Sequence, residues 1–147
     1  MIPVIVVPDV NVILSGLAFS NTPPSLILKL WRQDKILFAT SFSILRDLER
    51  AFNYPKVQKF IKLSQTEIQN VSAELLKTSI IVPEEINVKT SLDSDDDKLF
   101  SCAFEAKADY IVSGDKKHVL LIKNFRGIKI VSPKEFVQEI TILNLEQ

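Results

Sequence analysis

A chain of 147 residues with 46% hydrophobic and 24% charged side chains suits one globular domain with a sizeable core and excludes a disordered chain. Its 18 basic and 18 acidic residues cancel, so no overall charge drives it to nucleic acid or membrane, although a neutral total can hide an acidic pocket beside a basic rim. One cysteine excludes a disulfide framework, three glycines exclude a GxGxxG or P-loop cradle, and no apolar run approaches the roughly 20 residues that span a bilayer.

The first element is "IPVIVVP" (2–8), β-branched and continuous, as a central strand buried on both faces requires. Asp9 follows it directly. "MIPVIVVPDV" lacks the basic leader and cleavage site of a secretory signal, so a cytoplasmic protein is expected. "NTPPSLILKLWR" predicts a helix that starts at its prolines, and "ILFAT" (36–40) a second strand. "SFSILRDLERAF" (41–52) has a serine cap and Ile44, Leu45, Leu48 and Phe52 at helical spacing. "YPKVQKFIKL" predicts a short helix. "SQTEIQNVSAELLKTS" (64–79) opens with Ser64 and Glu67 in a capping-box pattern. "IIVP" (80–83) is a short strand, and an acidic helix follows over about 94–107. "ADYIVSGD" (108–115) is a strand ending at Asp115, "KKHVLLIKNF" a helix or turn, "IKIV" (128–131) a strand, and "SPKEFVQEI" (132–140) a helix with Ser132 as cap and Pro133 at its first position. Strands alternating with helices predict a parallel α/β sheet in a single domain over 1–140, with 141–147 as a C-terminal tail.

In such sheets, sites lie beyond the carboxyl ends of strands. Asp9 and Asp115 both stand there. "SLDSDDDKLFSCAFEA" (91–106) adds Asp93, Asp95, Asp96 and Asp97 at a helix start. On a wheel of 100° per residue, the apolar stripe is Leu99, Cys102, Ala103 and Ala106, and both Asp95 and Asp96 fall within about 60° of its centre. Asp93 and Asp97 fall off it and suit a cap or the helix dipole. A carboxylate turned inward needs a cation, and no lysine is obvious on that face. Asp47 sits at the edge of an apolar helical face. Singly, each acid has a bland explanation as a solvated side chain or turn former. Together they form the all-oxygen cluster that Mg²⁺ or Mn²⁺ prefers.

The chain resembles the PIN-domain nucleases over about residues 4–137. The motifs are "VPDVNV", "TSFSILRDLERAFNYPKV", "LDSDDDKLFSCAFEAKADYIVSGDKKHVL" and "IKIVSPKEF". It looks most like the group that forms toxin components of toxin–antitoxin pairs. The resemblance implies a three-layer α/β/α sandwich with a mostly parallel sheet of about five strands. It makes Asp9, Asp96 and Asp115 the metal-site aspartates, and puts Asp47 in place of a helix acid that is usually glutamate, one methylene longer. Asn11 and Ser113 match the family's supporting polar residues. The implied activity is Mg²⁺- or Mn²⁺-dependent cleavage of single-stranded RNA, with RNA and an antitoxin protein as partners, a homodimer as assembly and no membrane. In that chemistry, metal lowers the pKa of water to give a nucleophile, and a second ion roughly 4 Å away stabilises the leaving oxygen.

A substrate face should be basic. Lys56, Lys59 and Lys62 recur every third residue and are expected on one side of a short helix; Lys116, Lys117 and Lys123 follow Asp115. Trp31, Tyr54 and Phe125 could stack on bases; Trp31 reads as core, whereas "NYP" leaves Tyr54 exposed in a turn. His118 reads as incidental and Cys102 as core. A haloacid-dehalogenase-like phosphotransferase would need a second aspartate where Asn11 stands, and a receiver domain an early aspartate pair. The alternative is a non-catalytic PIN fold that binds RNA or an antitoxin; Asp47 in place of glutamate favours it.

Overall fold

The computed structural model describes residues 3–89, 94–115 and 119–145. Its elements run β1 (Ile5–Pro8), α1 (Val10–Ala18), α2 (Pro23–Arg32), β2 (Leu37–Thr40), α3 (Phe42–Phe52), α4 (Pro55–Gln58), α5 (Gln65–Thr78), β3 (Ile80–Ile81), α6 (Ser94–Ala106), β4 (Tyr110–Val112), β5 (Asn124–Phe125), β6 (Ile128–Val131) and α7 (Pro133–Leu145). The strands form one sheet in the order β3-β2-β1-β4-β6-β5, parallel throughout except for the β5–β6 pair.

The sheet has helices on both faces because successive strand residues point to opposite sides. Val6, Phe38, Tyr110 and Val112 join one core with Ile27, Leu28 and Trp31 of α2, Leu45 and Leu48 of α3, and Phe136 and Ile140 of α7. Val7, Ala39, Ile111 and Ile130 join the other with Leu99, Phe100, Cys102 and Ala103 of α6. This is the expected α/β/α sandwich. Trp31 is core, stacked on Phe38 with ring centroids 4.8 Å apart. The expected Ser64–Glu67 capping box forms. Ser132 caps α7 as expected, and the structure adds a reciprocal bond, from the Ser132 amide to the Glu135 carboxylate, that the sequence reading did not include.

Four features differ from the sequence reading. Helix α1 follows β1 after Asp9 alone. The sheet has a sixth strand, β5, paired to β6 through a turn in which Arg126 (φ 51°) and Gly127 (φ 87°) both take positive φ, the geometry of a tight two-residue hairpin. Helix α7 runs past 140 to Leu145. Helix α4 ends at Gln58, so Lys56, Lys59 and Lys62 do not share one helical face. Lys59 caps that helix and Lys62 lies in the extended segment beyond; all three are exposed. No helix among the described residues is long and apolar enough to cross a membrane.

Candidate active site

The strand order turns at β1: β2 lies on one side of it and β4 on the other. The chain ends of β1 and β4 therefore open a crevice between neighbouring parallel strands, the place where α/β sheets bind ligands. Asp9 leaves β1 with its amide N–H still donating to the Val112 carbonyl at 2.9 Å, so β4 fixes its backbone. Three residues after β4 comes Asp115. The two acids reach the same cleft although the sequence separates them widely.

That cleft has a volume of about 640 Å³ and is lined by Asp9, Asn11, Asp47, Asp96 and Asp115, with Arg50 and Tyr54 at its α3 side. The structure thus brings together all four predicted acids and Asn11. Ser113 is fully buried behind them. Its Oγ donates to Asp9 Oδ2 at 3.0 Å and accepts from the Asp115 amide at 3.1 Å, tying the two strand-end acids to one hydroxyl. Asp96 is buried, at 8% exposure, on the inner side of α6. Cys102 is buried in the core under α6. Lys123 lies within the described residues; Asp93, Lys116, Lys117 and His118 lie outside them.

Burial pushes the Asp9 carboxyl above its ordinary range. The Ser113 hydroxyl and the Asn11 and Val10 amides draw it back, and the charge of Asp115 adds to the rise. The potential donors here are oxygens: the carboxylates of Asp9, Asp47, Asp96 and Asp115 and the Asn11 amide carbonyl. That set suits a hard divalent cation such as Mg²⁺ or Mn²⁺ rather than a thiophilic metal. Among the described residues, no three carboxylates converge on one ligand position.

Asp47 is ion-paired through both of its oxygens. Its Oδ2 accepts from Lys98 Nζ at 3.0 Å and its Oδ1 pairs with Arg50 Nη1 at 3.4 Å. Sequence reasoning found no lysine for the inward face of α6. Lys98 is on that helix, but it reaches across to α3 and meets Asp47. Arg50 was missed too; its signal is the spacing of three from Asp47, which puts both on one helical face. Glu49, two positions on, is exposed and is not among the residues that line the cleft.

With an acidic cleft at the switch point of a mostly parallel sheet, the chain has the architecture of a nuclease-type α/β/α fold. It belongs to the PIN-domain family, whose model matches residues 5–117. It is also 33% identical over 142 residues to the uncharacterized protein MJ1680 of Methanocaldococcus jannaschii, with 91% of this chain and 90% of that protein covered.

Proposed function

We propose that this protein is a Mg²⁺- or Mn²⁺-dependent endoribonuclease that cleaves single-stranded RNA. The observation that carries the reading is the meeting of Asp9, Asp96 and Asp115 in one cleft, from two adjacent strand ends and a helix start. A divalent cation bound there supplies charge neutralisation and a nucleophile near neutral pH. The chain's own groups do the rest. Asp9, Asp96 and Asp115 would hold the cation. Ser113 orients Asp9 through its hydroxyl, and Asn11 offers a neutral amide beside it. Asp47, with both oxygens engaged by cations, holds Arg50 and Lys98 in place.

The test is cleavage of a labelled single-stranded RNA in Mn²⁺ and in EDTA, with direct titration of Mn²⁺ alongside. Asp96→Asn and Asp115→Asn should each lower cleavage at least about 100-fold and weaken Mn²⁺ binding, since both nucleophile and charge stabilisation depend on the cation. Asp97→Asn should change cleavage little. Asp47→Asn should weaken Mn²⁺ binding far less than Asp96→Asn. Cleavage that survives EDTA would sink the metal mechanism.

The second reading is a PIN fold that binds RNA or a protein without cutting. The ion-paired state of Asp47 and the lack of three converging carboxylates among the described residues favour it. Binding of RNA with no cleavage at any Mn²⁺ concentration would establish it. The resemblance to toxin components supports a toxin-type role, a cytoplasmic location, an antitoxin partner and a homodimer. Light scattering that gives about 16.6 kDa rather than twice that mass would remove the dimer.

A further inference from the structure

The acids of the cleft repel the substrate they would cleave. Asp9, Asp47, Asp96 and Asp115 line it, and among the described residues Arg50 is the one cationic side chain that does. Arg50 is well exposed, with 65% of its side chain open to solvent, and Asp47 fixes its guanidinium at the cleft wall. Four residues on stands Tyr54, also lining the cleft and 55% exposed. An aromatic ring this open gains little from the core, and it lines the cleft instead.

The backbone makes that position rigid. Helix α3 closes at Asn53, and the Tyr54 amide donates to the Ala51 carbonyl at 3.1 Å. Pro55 then starts α4 and confines Tyr54 to extended backbone, observed at φ −71° and ψ 131°. A cation and an exposed aromatic ring, the latter on a restrained backbone, thus both line the α3 side of the acidic cleft. Lys56 and Lys59 continue the positive charge past the corner, both exposed.

We propose that the Arg50–Tyr54 edge is a subsite for one unpaired nucleotide, with Arg50 on its phosphate and Tyr54 stacked on its base. The proposal rests on the nucleic-acid reading above and deepens it: it assigns the preference for single strands to two side chains of this protein, because a base held in a duplex is not free to lie on the Tyr54 ring. Stacking is indifferent to base identity, so the subsite confers strandedness and not sequence. Asp47 is a positioning residue for Arg50 in this arrangement.

The experiment is fluorescence anisotropy in Ca²⁺, a hard cation that offsets the charge of the oxygen-lined cleft, with short labelled oligonucleotides: single-stranded RNA, single-stranded DNA of the same sequence, and the RNA duplex. Wild type should bind the single strands at least about tenfold more tightly than the duplex. Tyr54→Ala should weaken single-strand binding by about tenfold, and Tyr54→Phe should restore it. Arg50→Ala should weaken binding and reduce the salt dependence by about one phosphate contact. Asp47→Asn should shift that salt dependence while Tyr54→Phe should not. Equal binding of RNA and DNA, or a preference for RNA, supports the subsite, since both carry base and phosphate. No binding by wild type, duplex binding as tight as single-strand binding, or Tyr54→Ala equal to wild type overturns it. Cleavage of the same RNA in Mn²⁺ separates the two proposals. Tyr54-dependent binding without cleavage removes the nuclease and keeps the subsite. Cleavage with unchanged KM in Tyr54→Ala removes the subsite and keeps the nuclease.

Discussion

Ser113 donates its hydroxyl hydrogen to Asp9 Oδ2 at 3.0 Å across a sequence separation of 104 residues. Ser113 Oγ also accepts from the Asp115 amide, so one fully buried hydroxyl links the acid that follows β1 to the acid that follows β4. A hydrogen bond to a charged group is worth about 1.5–3 kcal/mol, and a buried partner left without it costs at least as much. Ser113→Ala should therefore lower unfolding free energy by about 2 kcal/mol, read from the urea midpoint. A midpoint equal to wild type would mean that Asp9 is oriented by its backbone alone.

Asp9 itself should weaken the metal-free protein at neutral pH. Burial raises its carboxyl in the folded state, whereas the unfolded chain returns it to the ordinary value. The native state thus holds this proton more tightly. Its favourable contribution is complete below the ordinary carboxylate pKa and is lost as pH rises through the raised folded value. In EDTA at neutral pH, Asp9→Asn should melt above wild type, and the gap should close toward about pH 4, where wild type is protonated as well. Added Mn²⁺ should reverse the order. It should stabilise wild type more, by about 2.7 kcal/mol at 100 times its dissociation constant. Parallel melting curves for the two proteins, with and without Mn²⁺, would show that the acids act independently.

Gly16 is where α1 crosses α2. A Cβ there would lie 2.6 Å from Leu28 Cδ1 and 2.8 Å from the Pro24 carbonyl oxygen. The side chain can turn away, but the backbone oxygen cannot without moving α2. Overpacking of this kind costs about 1–3 kcal/mol, against roughly 1 kcal/mol gained from the better helix propensity of alanine. Gly16→Ala should lower the melting temperature. A higher one would show that the two helices separate freely.

Cys102 should be chemically silent in the folded protein. Burial, helped by the charges of Glu105 and Glu84, pushes its thiol up to about 12. At pH 8 the thiolate fraction is then roughly one in ten thousand. A disulfide reagent should modify it only after urea unfolding. Stoichiometric reaction of the native protein within minutes would place α6 among the segments that open readily.

Some of this architecture was open to reading because local chemistry and tertiary need agree. The unbroken apolar run of β1 belongs to a strand buried on both faces. Ser64 with Glu67, and Ser132 with Pro133, mark helix starts that hold in the fold. The wheel left Asp95 and Asp96 tied; Asp96 is buried and lines the cleft, and the Asp95 side chain lies outside the described residues. Other features left no local trace. Helix α1, "VNVILSGLA", is apolar on most sides and contains glycine, so it shows no clean stripe beside the strand before it. Two residues of β5 are too few for any periodicity. The Lys98–Asp47 pair spans 51 positions and exists only because α6 packs near α3. Lysine spacing of three suggested a helical face beyond Tyr54, but α4 lasts a single turn.

The pairing of β1 with β4 also sets an order of events during synthesis. Val6, Val7 and Pro8 are made early, yet their partners Tyr110, Ile111 and Val112 come about a hundred residues later. Chains emerge amino-terminus first at about 5–20 residues per second, so β1 spends several seconds with only its β2 side available. A nascent fragment that ends before α6 carries Asp9 and Asp47 but neither Asp96 nor Asp115, and Asp9 lacks the Ser113 hydroxyl. Such a fragment has half of the cleft and an open strand edge. While it is still attached to a messenger RNA, it cannot yet present the acidic cluster to it.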